Sequence, residues 1–188
     1  DVMQNQGTQV VIGFGGYVAM PAYLAARGRV PIVIHEANAK AGLANRVGAR
    51  LTPYVAQAVA GALPGAQTIG LPLRKAIMEL DRAASRTEAR AYFGLDSQRP
   101  CLLVFGGSQG ARRINDAVVS AVEQISAAGM QILHVVGTQN LDQGASLAAR
   151  FSDSYHRLDY VDRMDLAYAA ADLAMCRSGA MTCAELSA

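Results

Sequence analysis

The feature that most constrains this chain is a repeated alternation. A short apolar run gives way to a glycine-rich break, then a longer helix-like run, then another apolar run. In the first series TQVVIGF ends at Gly15-Gly16, and helix-like YVAMPAYLAARG, strand-like VPIVIHE, helix-like AGLANRVGARL and the apolar run YVAQAVA follow. In the second, RTEARAYFG reads as a helix closed by Gly94, and CLLVF as a buried strand. RRINDAVVSAVEQISAAG then reads as a helix with Ile114, Val118, Ala121, Val122 and Ile125 on one face and Gly129 at its end. Strand-like QILHVVG, helix-like LDQGASLAARF, strand-like HRLDYV, helix-like DLAYAAA, strand-like DLAMCRS and helix-like AMTCAELSA continue the order. Apolar strands without polar alternation belong in parallel sheets covered on both faces, so the pattern predicts a doubly wound α/β protein.

Between the two series lies GALPGAQTIGLPLRKAI, with glycines at 61, 65 and 70 and prolines at 64 and 72. This composition marks a linker and predicts two domains, residues 1–73 and 74–188. The chain starts just ahead of a strand-like run and stops inside a helix-like one, so each domain is expected to be part of a larger one. A composition of 52% hydrophobic and 17% charged residues excludes disorder. No apolar run reaches the roughly 18 residues that a membrane-crossing helix needs. Nothing at the start resembles a signal peptide, and a cytosolic protein is expected. Cys101, Cys176 and Cys183 form no C-x-x-C pair and are expected to be buried, reduced thiols. Residues 1–73 carry five Lys/Arg against two Asp/Glu, whereas residues 74–188 carry twelve against thirteen. A basic first half suits an anionic surface, and an ordinary solvated face is the alternative.

The chemistry concentrates where strand-like runs end in glycines. VFGGSQGARRIN puts three glycines and Ser108 between a strand and a helix, where free amides and the positive end of the helix dipole can hold an anion. It lacks the Lys-Ser/Thr pair of a nucleotide-hydrolysing P-loop and does not match G-x-G-x-x-G. Where a ribose-holding acid would stand some twenty residues on, the chain has His134, which disfavours a dinucleotide site. A ligand-free turn stays open as the alternative. GFGGYVAMP offers a second glycine loop with Tyr17. In CRSGAMTCAE a Ser178-Gly179 turn opens a helix whose first amides suit a diphosphate, and Glu185 could accept two hydrogen bonds from a diol or stand exposed. IHEANAKAGLANR delivers His35, Glu36 and Asn38 to a strand end. Adjacent strand residues point to opposite faces, so His35 and Glu36 are not expected to act as a pair.

Taken in order, GFGGYVAMPAYLAA, HEANAKAGLANR, GLPLR, FGGSQGARRIN, YVDRMDLAYAAADL and CRSGAMTCAE resemble the successive motifs of the MurG family. These inverting glycosyltransferases add N-acetylglucosamine to a lipid-linked muramyl-pentapeptide in peptidoglycan synthesis. The resemblance implies a GT-B fold of two Rossmann-like domains. Residues 1–73 would be the later part of the acceptor domain, and 74–188 the earlier part of the UDP-sugar donor domain. On the donor side it implies Arg74 at the nucleotide end and Ser108 near the UDP phosphates. Val161 would stand where backbone groups pair with uracil, its side chain mattering little. Ala180, Met181, Thr182, Cys183 and Ala184 would wrap the ribose and diphosphate, with Glu185 on the ribose hydroxyls.

Tyr17 and Asn38 match family residues on the acceptor side, and Glu36 is a further catalytic candidate there. The family's histidine base and its donor-side glutamine pair would lie outside residues 1–188, and the chain alone is expected to be inactive. The implied partners are UDP-N-acetylglucosamine, the undecaprenyl-diphosphate-linked muramyl-pentapeptide and the cytoplasmic face of the membrane. No nucleic acid and no cofactor are expected. No Asp-x-Asp motif is present to hold a metal beside the diphosphate. The rival readings are a UDP-N-acetylglucosamine 2-epimerase, a non-catalytic nucleotide-sugar binding module, and a nicotinamide-binding domain.

Overall fold

The structure, a computed structural model, describes residues 2–188. It divides into two compact units, Asp1–Pro72 and Leu73–Ala188.

The first unit runs α1 (Val2–Asn5), β1 (Val11–Gly13), α2 (Ala19–Ala26), β2 (Ile32–Glu36), α3 (Leu43–Gly48), β3 (Val55–Gln57) and β4 (Gln67–Thr68). Its strands pair in chain order, β1-β2-β3-β4, all parallel. Parallel neighbours need a crossover, which α2 and α3 supply. Ile32 and Ile34 share one face of β2 and bury against Ala19, Tyr23, Ala26 and Ala44. The other face carries Ile12, which is 58% exposed. Among the described residues α1, α2 and α3 all feed the core on the first of these faces. Within the stretch read as linker, Gln67 and Thr68 pair with Ala56 and Gln57. The Gln57 side chain donates to Ala66 O and Thr68 Oγ1 and accepts from Leu63 N–H. A two-residue Gln-Thr strand has no apolar signature, so the sequence shows only a break there.

The second unit runs α4 (Lys75–Met78), α5 (Arg82–Tyr92), β5 (Cys101–Phe105), α6 (Arg112–Ala127), β6 (Gln131–Val135), α7 (Ala145–Arg150), β7 (Tyr155–Leu158), α8 (Met164–Ala170), β8 (Leu173–Cys176) and α9 (Ala180–Ser187). Its sheet order is β7-β6-β5-β8, again all parallel. Here both faces are covered. Cys101, Leu103 and Phe105 join one core with Leu133, Val135 and Leu166, while Val104 joins another with Val118, Val122, Ile132 and Tyr155. Each such fully buried aliphatic side chain contributes roughly 1.5–3 kcal/mol. The helix α8 is buried from Asp165 to Ala170, and its alanines let it pack closely into the core that also holds Ala89 of α5 and Leu103 of β5. Two expected elements are shorter: Gly144, at φ +73°, caps α7 and cuts the predicted helix to six residues, and β7 ends at Leu158. Of the cysteines only Cys101 is buried, and Cys183 is exposed on α9, which corrects the expectation for that thiol.

The register between β5 and β8 is held by Asp172. Its Oδ2 accepts Cys101 N–H at 2.7 Å and Arg90 Nη2 at 2.8 Å, and its Oδ1 accepts Arg86 Nη2 at 2.6 Å. Its own N–H donates to Cys101 O at 2.9 Å. Burial pushes the Asp172 carboxyl up, but the Cys101 amide and the two guanidiniums outweigh this and hold it below the usual carboxylate range. Arg90, 2% exposed, also donates to the Ala170, Asp96 and Ser97 carbonyls. Arg90→Met strips these partners inside the core and is expected to lower the unfolding free energy by about 3 kcal/mol at pH 7, read by urea titration. Because the folded Asp172 has a depressed pKa, its contribution is full above roughly pH 4 and is lost as pH falls through the folded value.

Candidate functional site

In the second unit the chain lays β6 and β7 on one side of β5 and returns to place β8 on the other. At such a reversal the loops after the two central strands diverge, and the crevice outside their carboxyl ends is where open α/β sheets take ligands. One pocket there is lined by Gly106 and Gly107 after β5 and by Arg177, Ser178, Gly179 and Thr182 after β8. Arg74, Ser108, Val161, Thr182 and Glu185 line a second pocket of about 180 Å³, which shares Phe105, Gly107 and Thr182 with the first. Five of the residues singled out in the sequence therefore meet in one place.

Glu185 is not an exposed helix residue, since its side chain is only 11% exposed. The Tyr168 hydroxyl donates to its Oε2 at 2.7 Å, and Arg74 Nη2 stands 3.4 Å from its Oε1. Burial and the neighbouring carboxylate push the Tyr168 phenol well above its ordinary pKa, so it stays a proton donor. One oxygen of Glu185 is thereby anchored, and the other faces Arg74, which is 55% exposed.

Ser108 is exposed in the loop between β5 and α6. The loop closes at Gly110, with φ +82°, where an added Cβ would lie 2.0 Å from the Val136 carbonyl oxygen. Only glycine fits that approach. Ala180, Met181, Cys183 and Ala184 lie on α9, and among its residues Thr182 lines both pockets. Val161 is 7% exposed and packs in the core, which corrects the view that its side chain matters little. Sequence reasoning missed Tyr168 and Arg177. Tyr168 could have been found as the lone hydroxyl in an alanine-rich helix.

In the first unit, Glu36 is 1% exposed. Its Oε1 accepts Asn38 N–H at 2.8 Å and Asn38 Nδ2 at 2.9 Å, and its Oε2 accepts Gly42 N–H at 3.1 Å and Asn45 Nδ2 at 2.9 Å. The geometry is that of an anchor, not of a catalytic base open to substrate, and it corrects the catalytic candidacy of Glu36. Burial pushes this carboxyl up, yet the Asn38, Asn45 and Gly42 donors prevail and hold it below the usual range. Asn45, which sequence reasoning passed over, is fully buried; it accepts from Tyr23 OH at 2.8 Å and donates to Glu36. Asn38 is exposed, and its amide nitrogen is tied to Glu36. Tyr17 is wholly exposed beside Gly16, Met20 and Leu43 in an apolar recess. His35 turns away from Glu36, as strand alternation requires, and its Nε2–H donates to Gly70 O at 2.8 Å.

Glu36→Ala is expected to cost about 2 kcal/mol of stability, since the buried Asn45 amide loses its ionic acceptor. Urea titrations at several pH values check this. The depressed pKa makes the Glu36 contribution full above roughly pH 4.3 and lost below it, so the wild-type advantage over the variant should shrink on acidification.

Two parallel α/β units with glycine loops at their strand ends fit the class of GT-B glycosyltransferase folds. The family model described as glycosyltransferase family 28 N-terminal domain matches residues 1–57, and that of the family 28 C-terminal domain matches residues 101–188. The chain is 57% identical to a protein of Acidothermus cellulolyticus over 192 residues, covering 100% of this chain and 52% of that protein. It is likewise 57% identical to one of Mycobacterium avium over 195 residues, covering 100% of this chain and 47% of the relative. Both are named UDP-N-acetylglucosamine--N-acetylmuramyl-(pentapeptide) pyrophosphoryl-undecaprenol N-acetylglucosamine transferase. The crystal structure of Acinetobacter baumannii MurG superposes with a TM-score of 0.70 at 30% identity, covering 98% of this chain and 51% of that one. The chain belongs to the MurG family. It spans about half the length of the curated relatives it matches.

Proposed function

We propose that the protein to which this chain belongs transfers N-acetylglucosamine from its UDP conjugate to the 4-hydroxyl of a lipid-linked N-acetylmuramyl-pentapeptide, with inversion. The observation that carries this reading is the meeting of Arg74, Ser108, Thr182 and Glu185 at the strand-order reversal of the second unit. Residues 74–188 form part of the donor domain and residues 1–73 part of the acceptor domain.

In the donor unit Glu185, steadied by Tyr168, accepts the ribose hydroxyls, and Arg74 stands at the nucleotide end. The Val161 backbone meets the uracil while its side chain holds the core. The diphosphate lies between the Gly106–Gly110 loop with Ser108 and the opening turn of α9, where Ala180, Met181 and Thr182 present amides free of intrahelical acceptors. Cys183 and Ala184 continue the backbone that brings Glu185 into place. Transfer is a single displacement. A base of the acceptor domain takes the proton of the acceptor hydroxyl, that oxygen attacks the anomeric carbon from the face opposite UDP, and the C1–O bond to the diphosphate breaks. The charge gathering on the leaving diphosphate is met by those amides, the helix dipoles of α6 and α9 and the Arg177 guanidinium. Asn38, held by Glu36, and Tyr17 address the acceptor.

The lipid acceptor places the enzyme peripherally on the cytoplasmic membrane face. Exposed Tyr17, Val18 and Leu43, with the exposed cations Arg27, Lys40, Arg46 and Arg50, suit an anionic lipid surface. Among the described residues no helix is long and apolar enough to cross a membrane.

The test uses the full-length protein, radiolabelled UDP-N-acetylglucosamine and the lipid-linked acceptor. Label should enter the lipid and persist in EDTA, and Glu185→Ala should raise the donor KM at least about tenfold, as loss of hydrogen bonds to a charged group predicts. Turnover without lipid acceptor, a strict metal requirement, or an unchanged donor KM in Glu185→Ala would each contradict the reading.

A further inference from the structure

The second unit buries a titratable group to which the donor-site reading gives no task. His134, in the middle of β6, is fully buried between Tyr155 and Asn115. The hydrogen-bond inventory sets the direction of this chain of contacts. Asn115 Nδ2 donates to Val136 O and to Gln143 Oε1, both at 2.8 Å, so Asn115 Oδ1 is an acceptor and His134 Nε2–H donates to it at 3.1 Å. Nδ1 then carries the lone pair, and the Tyr155 hydroxyl donates to it at 2.8 Å. Burial, aided by the Arg157 charge, pushes the imidazole down to about 4 and keeps it neutral, as this pattern requires. A polar file through a core is tolerated only when each member finds its partner.

The file ends on the segment of residues 137–144. Besides Asn115 on Gln143, Arg157 of β7 donates through Nε to Gln143 O at 2.8 Å and through Nη2 to Leu141 O. The Tyr155 hydroxyl closes the same segment from below, standing 2.2 Å from where a Cβ on Gly144 would lie. At its other end the segment grips the loop after β5. Asn140 Nδ2 donates to Gln109 O at 2.9 Å, and Thr138 N–H points to Ser108 O at 3.4 Å. Gly137 and Gly110 meet backbone to backbone, so that a Cβ on Gly137 would lie 2.2 Å from Gly110 N.

We propose that the Tyr155–His134–Asn115 file is a positioning device: it fixes segment 137–144, which holds Ser108, Gln109 and Gly110 in the conformation that receives the donor diphosphate. The proposal rests on the assignment of that loop to the diphosphate. Tyr155, His134, Asn115 and Asn140 are positioning residues, set behind the loop. The part of donor affinity that comes from the diphosphate depends on them, and the part that comes from the nucleoside does not.

Two variants test this in the full-length protein. Tyr155→Phe removes one hydroxyl from the file, and Asn140→Ala removes the link from the segment to Gln109 at the surface, without disturbing the core if the first variant fails to fold. Hydrogen exchange across residues 105–111 is measured alongside affinities for UDP and for uridine. Both variants should speed exchange in that loop and leave β5 and β6 unchanged. The preference for UDP over uridine should shrink about fivefold, with uridine affinity held within about twofold, as expected for losing one hydrogen bond's worth of positioning. Unchanged loop exchange in both variants would overturn the positioning role. Faster exchange with an unchanged UDP preference would overturn instead the assignment of the loop to the diphosphate.

Discussion

The Asp172 carboxylate is the interaction on which the second unit turns. A chain that has laid down β5, β6 and β7 in one direction must come back across the sheet to start β8, and nothing in apolar periodicity tells it where to stop. Asp172 does so by pairing with the first residue of β5 through its own backbone and side chain, while Arg86 and Arg90 of α5 close on the same carboxylate. With the amino ends of β5 and β8 locked, their carboxyl ends leave the sheet side by side, and the loops that follow diverge around a crevice. The ion pair thus lies at the far end of the strands from that crevice and yet sets where the crevice opens.

The same division between a polar anchor and a presented group recurs in each unit. Glu36 spends its charge on Asn38, Gly42 and Asn45, and what it presents is Asn38. Tyr168 spends its hydroxyl on Glu185 and leaves one carboxylate oxygen facing Arg74. In both cases a buried donor or acceptor that would be costly alone is satisfied by a neighbour, and that neighbour becomes rigid. Preorganisation of this kind matters most where charge develops during reaction, because groups already oriented cost nothing to reorient at that moment.

Much of this was legible in the sequence. The runs CLLVF and QILHVVG became β5 and β6, and the spacing of Ile114, Val118 and Val122 placed the buried face of α6. Arg74, Ser108, Thr182 and Glu185, which the resemblance implies for the donor side, line one pocket. What escapes the sequence is whatever depends on contacts that apolar periodicity does not mark. Glu36 reads as a catalytic candidate, because nothing in the sequence marks Asn38, Gly42 and Asn45 as the groups that take up its carboxylate. The resemblance gives Val161 a role through its backbone, and its place in the core rests on neighbours from other elements. β4 is too short and too polar for periodicity to mark. Cys183 sits on a helix whose apolar content is high, and composition alone could not tell which face it takes.

On the proposed function, the nucleotide diphosphate binds at the carboxyl ends of β5 and β8. The most direct measurement is amide chemical-shift mapping of the isotope-labelled full-length protein on titration with UDP. Binding there requires shifts concentrated at residues 106–110, at Val161 and at residues 178–185. Shifts confined to the glycine loop at residues 13–16 and the segment 36–42, with residues 106–110 silent, would contradict it.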